Sequence, residues 1–468
     1  MKLNKKLIAV ALGAAFLSAP LHAGASEKEL KARMDKMAAE LEELKAALKA
    51  SMQKTAELEA RQQQIVAAES NSASASTAAA TAAATSAATA TATSVATNVA
   101  TTVATDLANT RAEAARSGPS TIFSGYGEIN YNRPTKNASA AQTDIRRAVI
   151  AIEHRFDEKT KMVSEFEWEH GVVSASDQGE SEIEQLYIER ELNNGLRGKV
   201  GLFLIPSGLL NTNHEPTAYY GVERNFVETA IIPSTWREVG VGLSGDTAFG
   251  LTWDTGITTG FDLGKWDATS TEGRDSPLGS IHQEGQLAKS RDLAFHGALN
   301  WRGVPGLLLG GSVFSGKAGH NTEGFAANDA RVTLYDLHAR YTPGAWDLSA
   351  LYARGQISNT EALNATFVGN PTPVPKSFAG WYTQAAYQLL KSGDYTLSPF
   401  ARYEQFNTAK SYAYVPQGLG AETGPDEKVT TVGANLKVGE GVVLKADYQK
   451  FKEDKSRDRL NLGMGFAY

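Results

Sequence analysis

Leu460-Asn-Leu-Gly-Met-Gly-Phe-Ala-Tyr468, the last nine residues of the chain, alternate without interruption. Successive side chains of a strand point to opposite faces. Leu460, Leu462, Met464, Phe466 and Tyr468 therefore share one face, and Asn461, Gly463, Gly465 and Ala467 share the other. One face is continuously apolar and the other is small or polar. A strand that meets lipid on one side and a water-filled lumen on the other needs this pattern. It predicts the closing strand of an outer-membrane β-barrel.

The same reading extends back to Thr121. Gly- and aromatic-rich segments with period two divide the region into about sixteen strands, the even number that such a barrel requires. They fall at 121–131, 144–156, 161–172, 181–192, 197–206, 234–245, 249–260, 291–302, 306–316, 330–341, 345–355, 377–389, 395–407, 428–438, 442–451 and 457–468. Short connections such as Asn193-Asn-Gly-Leu196, Thr342-Pro-Gly344 and Gly439-Glu-Gly441 are set against long ones at 207–233, 261–290, 356–376 and 408–427. Short turns on one side and long loops on the other are the asymmetry of a barrel in an outer membrane, with both termini on the short-turn, periplasmic side. Tyr126, Trp168, Trp253, Trp301, Tyr341, Trp346, Tyr403 and Phe466 lie near strand ends, where aromatic girdles are expected. The fold class expected is an all-β, sixteen-stranded antiparallel transmembrane barrel over 119–468, preceded by an α-helical coiled coil.

Upstream, composition changes sharply. Met1-Lys-Leu-Asn-Lys-Lys6 followed by apolar Leu7–Leu17, with Ala23-Gly-Ala25 as a cleavage site, reads as a signal peptide over 1–25. Leu30, Met34, Met37, Leu41, Leu44 and Leu48 recur at alternating steps of four and three, the seam of a coiled coil over 26–69. Residues 70–118 are almost wholly Ala, Thr and Ser, a composition suited to a linker and not to a core. No cysteine is present. This excludes disulfides, thiolate metal sites and cysteine nucleophiles.

Function is sought in the third long-side connection. Its polar side chains Asn211, Asn213, His214, Glu215, Arg224, Glu228 and Arg237 would narrow a pore if the loop folds inward. Period two also places lumenal charges at Arg147, Arg155, Lys199, Arg402, Lys445, Arg459, Glu165 and Glu167. Such rows either brace the wall by mutual pairing or steer a solute. No Gly-x-Ser-x-Gly or His-Glu-x-x-His motif occurs, and no enzyme is expected. The eight histidines show no close pair at metal spacing, so neither a metal nor a cofactor is expected.

Several fragments, in order along the chain, resemble the phosphate-selective porin O and P family. They are Val200-Gly-Leu-Phe-Leu-Ile-Pro-Ser-Gly208, His214-Glu-Pro216 with Tyr220-Gly-Val-Glu-Arg224, Ile231-Ile-Pro-Ser-Thr-Trp-Arg-Glu238, Gln283-Glu-Gly-Gln286, Pro399-Phe-Ala-Arg-Tyr-Glu404 and Leu444-Lys-Ala-Asp-Tyr448. The resemblance covers roughly 121–468 and implies a homotrimer of sixteen-stranded barrels that leads anions inward on lumenal Arg and Lys. The charge count pulls the other way: from Pro119 onward 33 Lys and Arg face 41 Asp and Glu, a balance of −8. The reading is passive diffusion of small hydrophilic solutes, inorganic or organic anions such as phosphate before others, through the outer membrane of a Gram-negative bacterium. Outer-membrane lipid is the expected surrounding, and nucleic acid is not an expected partner. The alternatives are a general or organic-acid porin without phosphate selectivity, and a tether whose periplasmic coiled coil contacts peptidoglycan.

Overall fold

The computed structural model describes residues 120–468, apart from 194, 371, 417–423 and 425. The signal peptide, coiled coil and linker lie outside the described residues. The strands are β1 (Ser120–Pro134), β2 (Gln142–Arg155), β3 (Thr160–Glu169), β4 (Ser181–Asn193), β5 (Leu196–Leu204), β6 (Arg237–Asp246), β7 (Leu251–Thr258), β8 (Ala294–Trp301), β9 (Leu307–Lys317), β10 (Arg331–Tyr341), β11 (Trp346–Ser358), β12 (Ser377–Tyr387), β13 (Leu390–Ser392), β14 (Tyr395–Ser411), β15 (Glu427–Val438), β16 (Val442–Phe451) and β17 (Arg459–Ala467). Both β12 and the short β13 pair with β14. They form one wall strand broken at Gln388 and Leu389, so the wall has sixteen staves. Each stave pairs antiparallel with its sequence neighbour, and β1 pairs with β17 from Tyr126↔Ala467 to Pro134↔Arg459. That last ladder closes the sheet and leaves no edge with unpaired amides.

The terminal alternation is realised as two faces. Leu462 is 46% exposed on the outside, whereas Asn461 is fully buried inside. The neighbouring staves repeat this: Leu444 and Trp381 face outward, while Lys445, Asp447 and Tyr382 are buried within. All sixteen expected strands are present, with ends that move by a few residues. The short turns, the start of β1 and the end of β17 share one rim, and the longer connections share the other.

Two expectations need correction. Tyr126 is not a girdle residue: it is buried, and its hydroxyl donates to Glu184 inside the wall (3.4 Å). Gly125 and Gly127 take the outward positions beside it. A Cβ on Gly125 would lie 2.9 Å from the Tyr468 hydroxyl oxygen, and one on Gly127 would lie 2.8 Å from Phe466 Cζ. The lumen is also not uniformly polar. Phe314, Val332, Leu334, Leu351, Ala353, Ile357 and Phe378 face inward and pack against Val227, Ile231, Trp236, Phe261, Leu278 and Ile281 from the loops after β5 and β7. Trp236 stacks on Phe261 at 5.1 Å and meets Phe314 edge-on at 4.6 Å. Each Val, Leu, Ile or Phe buried in this way contributes about 1.5–3 kcal/mol relative to leaving it exposed. The long-loop half of the barrel therefore contains a dry core of its own on the β9–β12 side.

Leu462→Arg places a guanidinium on the apolar outer face and is expected to cost about 2–4 kcal/mol near the bilayer mid-plane. The check is the folded fraction after refolding into lipid vesicles, read as the band whose gel mobility shifts on heating. A wild-type folded fraction would contradict the assignment of this face.

Candidate functional site

Residues 205–236 turn inward after β5, and the wall receives them through acidic side chains. A peptide segment in a barrel interior must find partners for its amides. On β10, Asp336 accepts from the Ser207 hydroxyl (3.2 Å) and the Gly208 amide (3.1 Å). On β14, Glu404 accepts from the Phe226 amide (2.7 Å) and is held by Arg402 Nε (3.0 Å). On β16, Asp447 accepts from the Val222 amide (2.6 Å) and from the Asn461 side-chain amide (2.7 Å). On β1, Glu128 accepts from the Tyr219 hydroxyl (2.8 Å). Lys445 lies 3.6 Å from the Tyr219 ring centre and donates to its carbonyl (3.0 Å). The loop thus touches staves on opposite parts of the wall and crosses the lumen between them.

The expected pore-lining residues divide by role. Asn211 is buried at the neck: its amide nitrogen donates to the carbonyls of Ile205 and Trp236, and its oxygen accepts from the Trp236 amide. Glu228 is buried and joins the two arms, accepting from the Leu209 and Leu210 amides, Asn225 and the Tyr382 hydroxyl. Burial raises its carboxyl above the ordinary range even though these donors oppose the shift. Burial likewise raises the Tyr219 phenol, and Glu128 adds to the effect. Arg224 reaches the His214 carbonyl (3.1 Å) and Ser234. Arg237 pairs with Glu182 and with Glu284 (3.1 Å). His214 is buried as well, and only Asn213 and Glu215 of the seven are exposed. Asn211, Arg224 and Glu228 thus fasten the loop, whereas Arg237 lies on β6 and joins it to Glu182 and Glu284.

The lumenal charges are mostly paired. Arg147 meets Glu128 (2.7 Å), Glu167 (3.0 Å) and Glu169 (3.3 Å). Lys199 meets Asp254 (2.8 Å), and the more exposed Arg155 meets Glu153 (3.0 Å). Arg459 donates to Gln449 (2.7 Å), and Glu165 accepts from Gln185. Glu128 and Asp336 were not singled out in the sequence. Their signal was available: each is an acid at an inward period-two position, Asp336 between Leu334 and His338.

Two cavities flank this arrangement. One of about 570 Å³ is bounded by Leu209, Asn213 and Tyr220 of the loop and by Arg302, His338, Arg340, Asp347, Gln384 and Arg402 of the wall. It reaches the short turn 302–306, so it lies toward that rim. Arg340 makes a two-point contact with Asp347 (2.9 and 2.6 Å). Arg302 has no carboxylate within 4.0 Å among the described residues. The other cavity, of about 1010 Å³, lies on the long-loop side and is lined by Arg147, Arg237, Glu167, Glu169, Glu182 and Glu284, among others.

β17 shows why its inner face is small. A Cβ on Gly465 would lie 2.4 Å from Pro216 Cβ, and one on Gly463 would lie 3.0 Å from Val222 Cγ1. The glycines let the loop seat against the closing strand.

An uncharacterized protein of Aquifex aeolicus (strain VF5) is 31% identical over 349 residues, spanning 71% of this chain and 77% of its own. No family model matches the chain. Among solved structures, Salmonella typhi OmpF in complex with daunomycin superposes with a TM-score of 0.53 at 15% identity, over 75% of this chain and 98% of that one. The outer membrane channel DcaP of Acinetobacter baumannii gives 0.49 at 12% identity, over 75% and 98%. The OmpF likeness shows the fold.

Asp447→Ala removes the acceptor of the Val222 amide and of Asn461, at about 1–3 kcal/mol for a buried group left unsatisfied. Hydrogen exchange at 219–226 is expected to rise tenfold or more while the barrel keeps its heat-shifted mobility. Unchanged exchange would show that the loop does not depend on this contact.

Proposed function

We infer a passive channel from the wall, a closed barrel of sixteen staves, in a chain that belongs to the same family as the Aquifex aeolicus protein. The barrel sits in the outer membrane of a Gram-negative bacterium, and its lumen, narrowed by residues 206–233, passes small hydrophilic solutes. The apolar outer face supports the membrane location. A homotrimer is the proposed assembly.

The solutes are proposed to be small anions, phosphate-like before others. The observation that carries this is the short-turn cavity, lined by Arg302, Arg340 and Arg402: Arg340 and Arg402 are paired with Asp347 and Glu404, and Arg302 has no carboxylate within 4.0 Å among the described residues. A cationic constriction between low-dielectric walls raises the local concentration of anions. A second reading, a general or organic-acid porin without phosphate selectivity, is favoured by the −8 balance of the barrel region and by the extensive pairing of its lumenal charges. The seam residues Leu30 to Leu48 keep a periplasmic coiled coil, with a cell-wall contact, as a further proposal.

Single-channel recording in a planar bilayer tests this reading. Discrete conductance steps are expected, closing in threes for a trimer, with a reversal potential in a salt gradient that reports anion preference and with phosphate lowering the chloride current. Arg302→Glu combined with Arg340→Glu is expected to move the reversal potential toward cations. Absence of steps would end the channel reading. Cation preference in the unaltered protein would leave the channel and end the anion reading.

A further inference from the structure

We propose that Glu165, Glu184 and His214 bind one divalent transition-metal ion, which clips the lumenal loop to the wall. The three come from β3, β4 and the loop, and their ligand atoms all lie within 4.8 Å of one another. His214 Nε2 is 3.8 Å from Glu165 Oε1 and 3.7 Å from Glu184 Oε2. Those separations are too long for hydrogen bonds. They are within a few tenths of an ångström of the roughly 3.3–3.5 Å edge of a tetrahedral site with bonds of about 2.0–2.2 Å.

The surroundings are arranged as a metal centre needs. His214 Nδ1 lies 3.0 Å from the Asn211 carbonyl oxygen. That contact assigns the proton to Nδ1 and leaves the Nε2 lone pair directed at the carboxylates. Gln185 donates to the other oxygen of Glu165. The ladder between β3 and β4 shifts register between Glu165 and Phe166, which pair with Gln185 and Ile183. Glu184 is the extra residue of this bulge, and the bulge turns it inward beside Gln185.

Two observations point to a missing cation. Glu184 is fully buried beside the buried Glu167; its Oε2 accepts from the Tyr126 hydroxyl at 3.4 Å, and its Oε1 has no hydrogen-bond partner. Neither Glu165 nor Glu184 has a Lys or Arg within 4.0 Å among the described residues, and His214 is the one basic side chain near both. Arg147 on the adjacent strand is occupied by Glu128, Glu167 and Glu169. Two buried carboxylates without a cation are costly, and a dication would offset both charges. One imidazole with two carboxylates suits Zn²⁺ and its first-row neighbours. Ca²⁺ prefers six or more oxygen ligands. Sequence spacing did not reveal the set because its members are 19 and 30 residues apart in order along the chain, and only the inward loop brings them together.

The test is independent of ion conduction. The untagged exported chain, folded in detergent and stripped with EDTA, is titrated with ZnCl₂ by calorimetry, and metal per chain is measured by mass spectrometry after dialysis. One equivalent of Zn²⁺ is expected, with affinity at least tenfold weaker in Glu184→Gln and in His214→Gln and unchanged in the outer-face control His154→Gln. Heat-shifted gel mobility reports folding of each variant, and His214→Gln, a loop substitution, leaves the wall ladder intact. X-ray absorption of the loaded protein is expected to show one imidazole and otherwise oxygen ligands. No bound Zn²⁺ in the unaltered chain, equal affinity in both site variants, or a shell without imidazole would overturn the proposal. Binding of Ca²⁺ in preference to Zn²⁺ would overturn the metal assignment.

Discussion

Everything inside this barrel follows from one constraint: a length of backbone brought off the wall must have its amides satisfied away from bulk water. Asp336, Glu404 and Asp447 meet that demand from β10, β14 and β16, and Glu228 meets it within the loop. Some of the acids that oppose an anion pathway are committed to this work, and others, such as Glu167 and Asp254, face a guanidinium or an ammonium. A carboxylate that accepts two or three hydrogen bonds, or that faces a guanidinium, contributes less field to the open lumen than its formal charge implies. The charge balance of the whole barrel region is therefore a poor guide to the charge presented to a solute.

The division of labour along the axis has the same origin. Toward the long loops, apolar inner faces of β9–β12 are covered by the loops after β5 and β7, and the interior is packed around Trp236. Toward the short turns, the loop underside leaves a cavity edged by Arg302, Arg340 and Arg402. Gly463 and Gly465 carry a steric part of this arrangement, since any side chain there would meet Val222 or Pro216. The small face that marks the final strand in the sequence is thus explained twice, by the lumen it lines and by the loop it receives.

The wall was legible because its physics is local. Period two, turn residues and the outward apolar band sufficed for all sixteen staves, whereas β13 lies beyond the expected strand 377–389, partly in the stretch expected as a turn. The interior was less legible because polarity does not specify a direction. Asn211, Arg224 and Glu228 carry groups able to meet a solute, yet the same hydrogen-bonding capacity fastens the loop. Tyr126 was placed outward by its position near a strand end, whereas the parity of Gly125 and Gly127 places it inward. The Glu165, Glu184 and His214 cluster depends on a bulge and a long-range contact, neither of which has a spacing signature.

Residues 205–236 lie across the lumen against the closing strand. A disulfide between Val222→Cys and Gly463→Cys tests this placement directly, because the chain contains no other cysteine and a Cβ at 463 would lie 3.0 Å from the present Val222 Cγ1. The double variant, folded without reductant, is expected to form an intramolecular disulfide that changes the mobility of the heat-denatured chain and disappears with dithiothreitol. A folded barrel in which both thiols remain free and react with maleimide would contradict the placement.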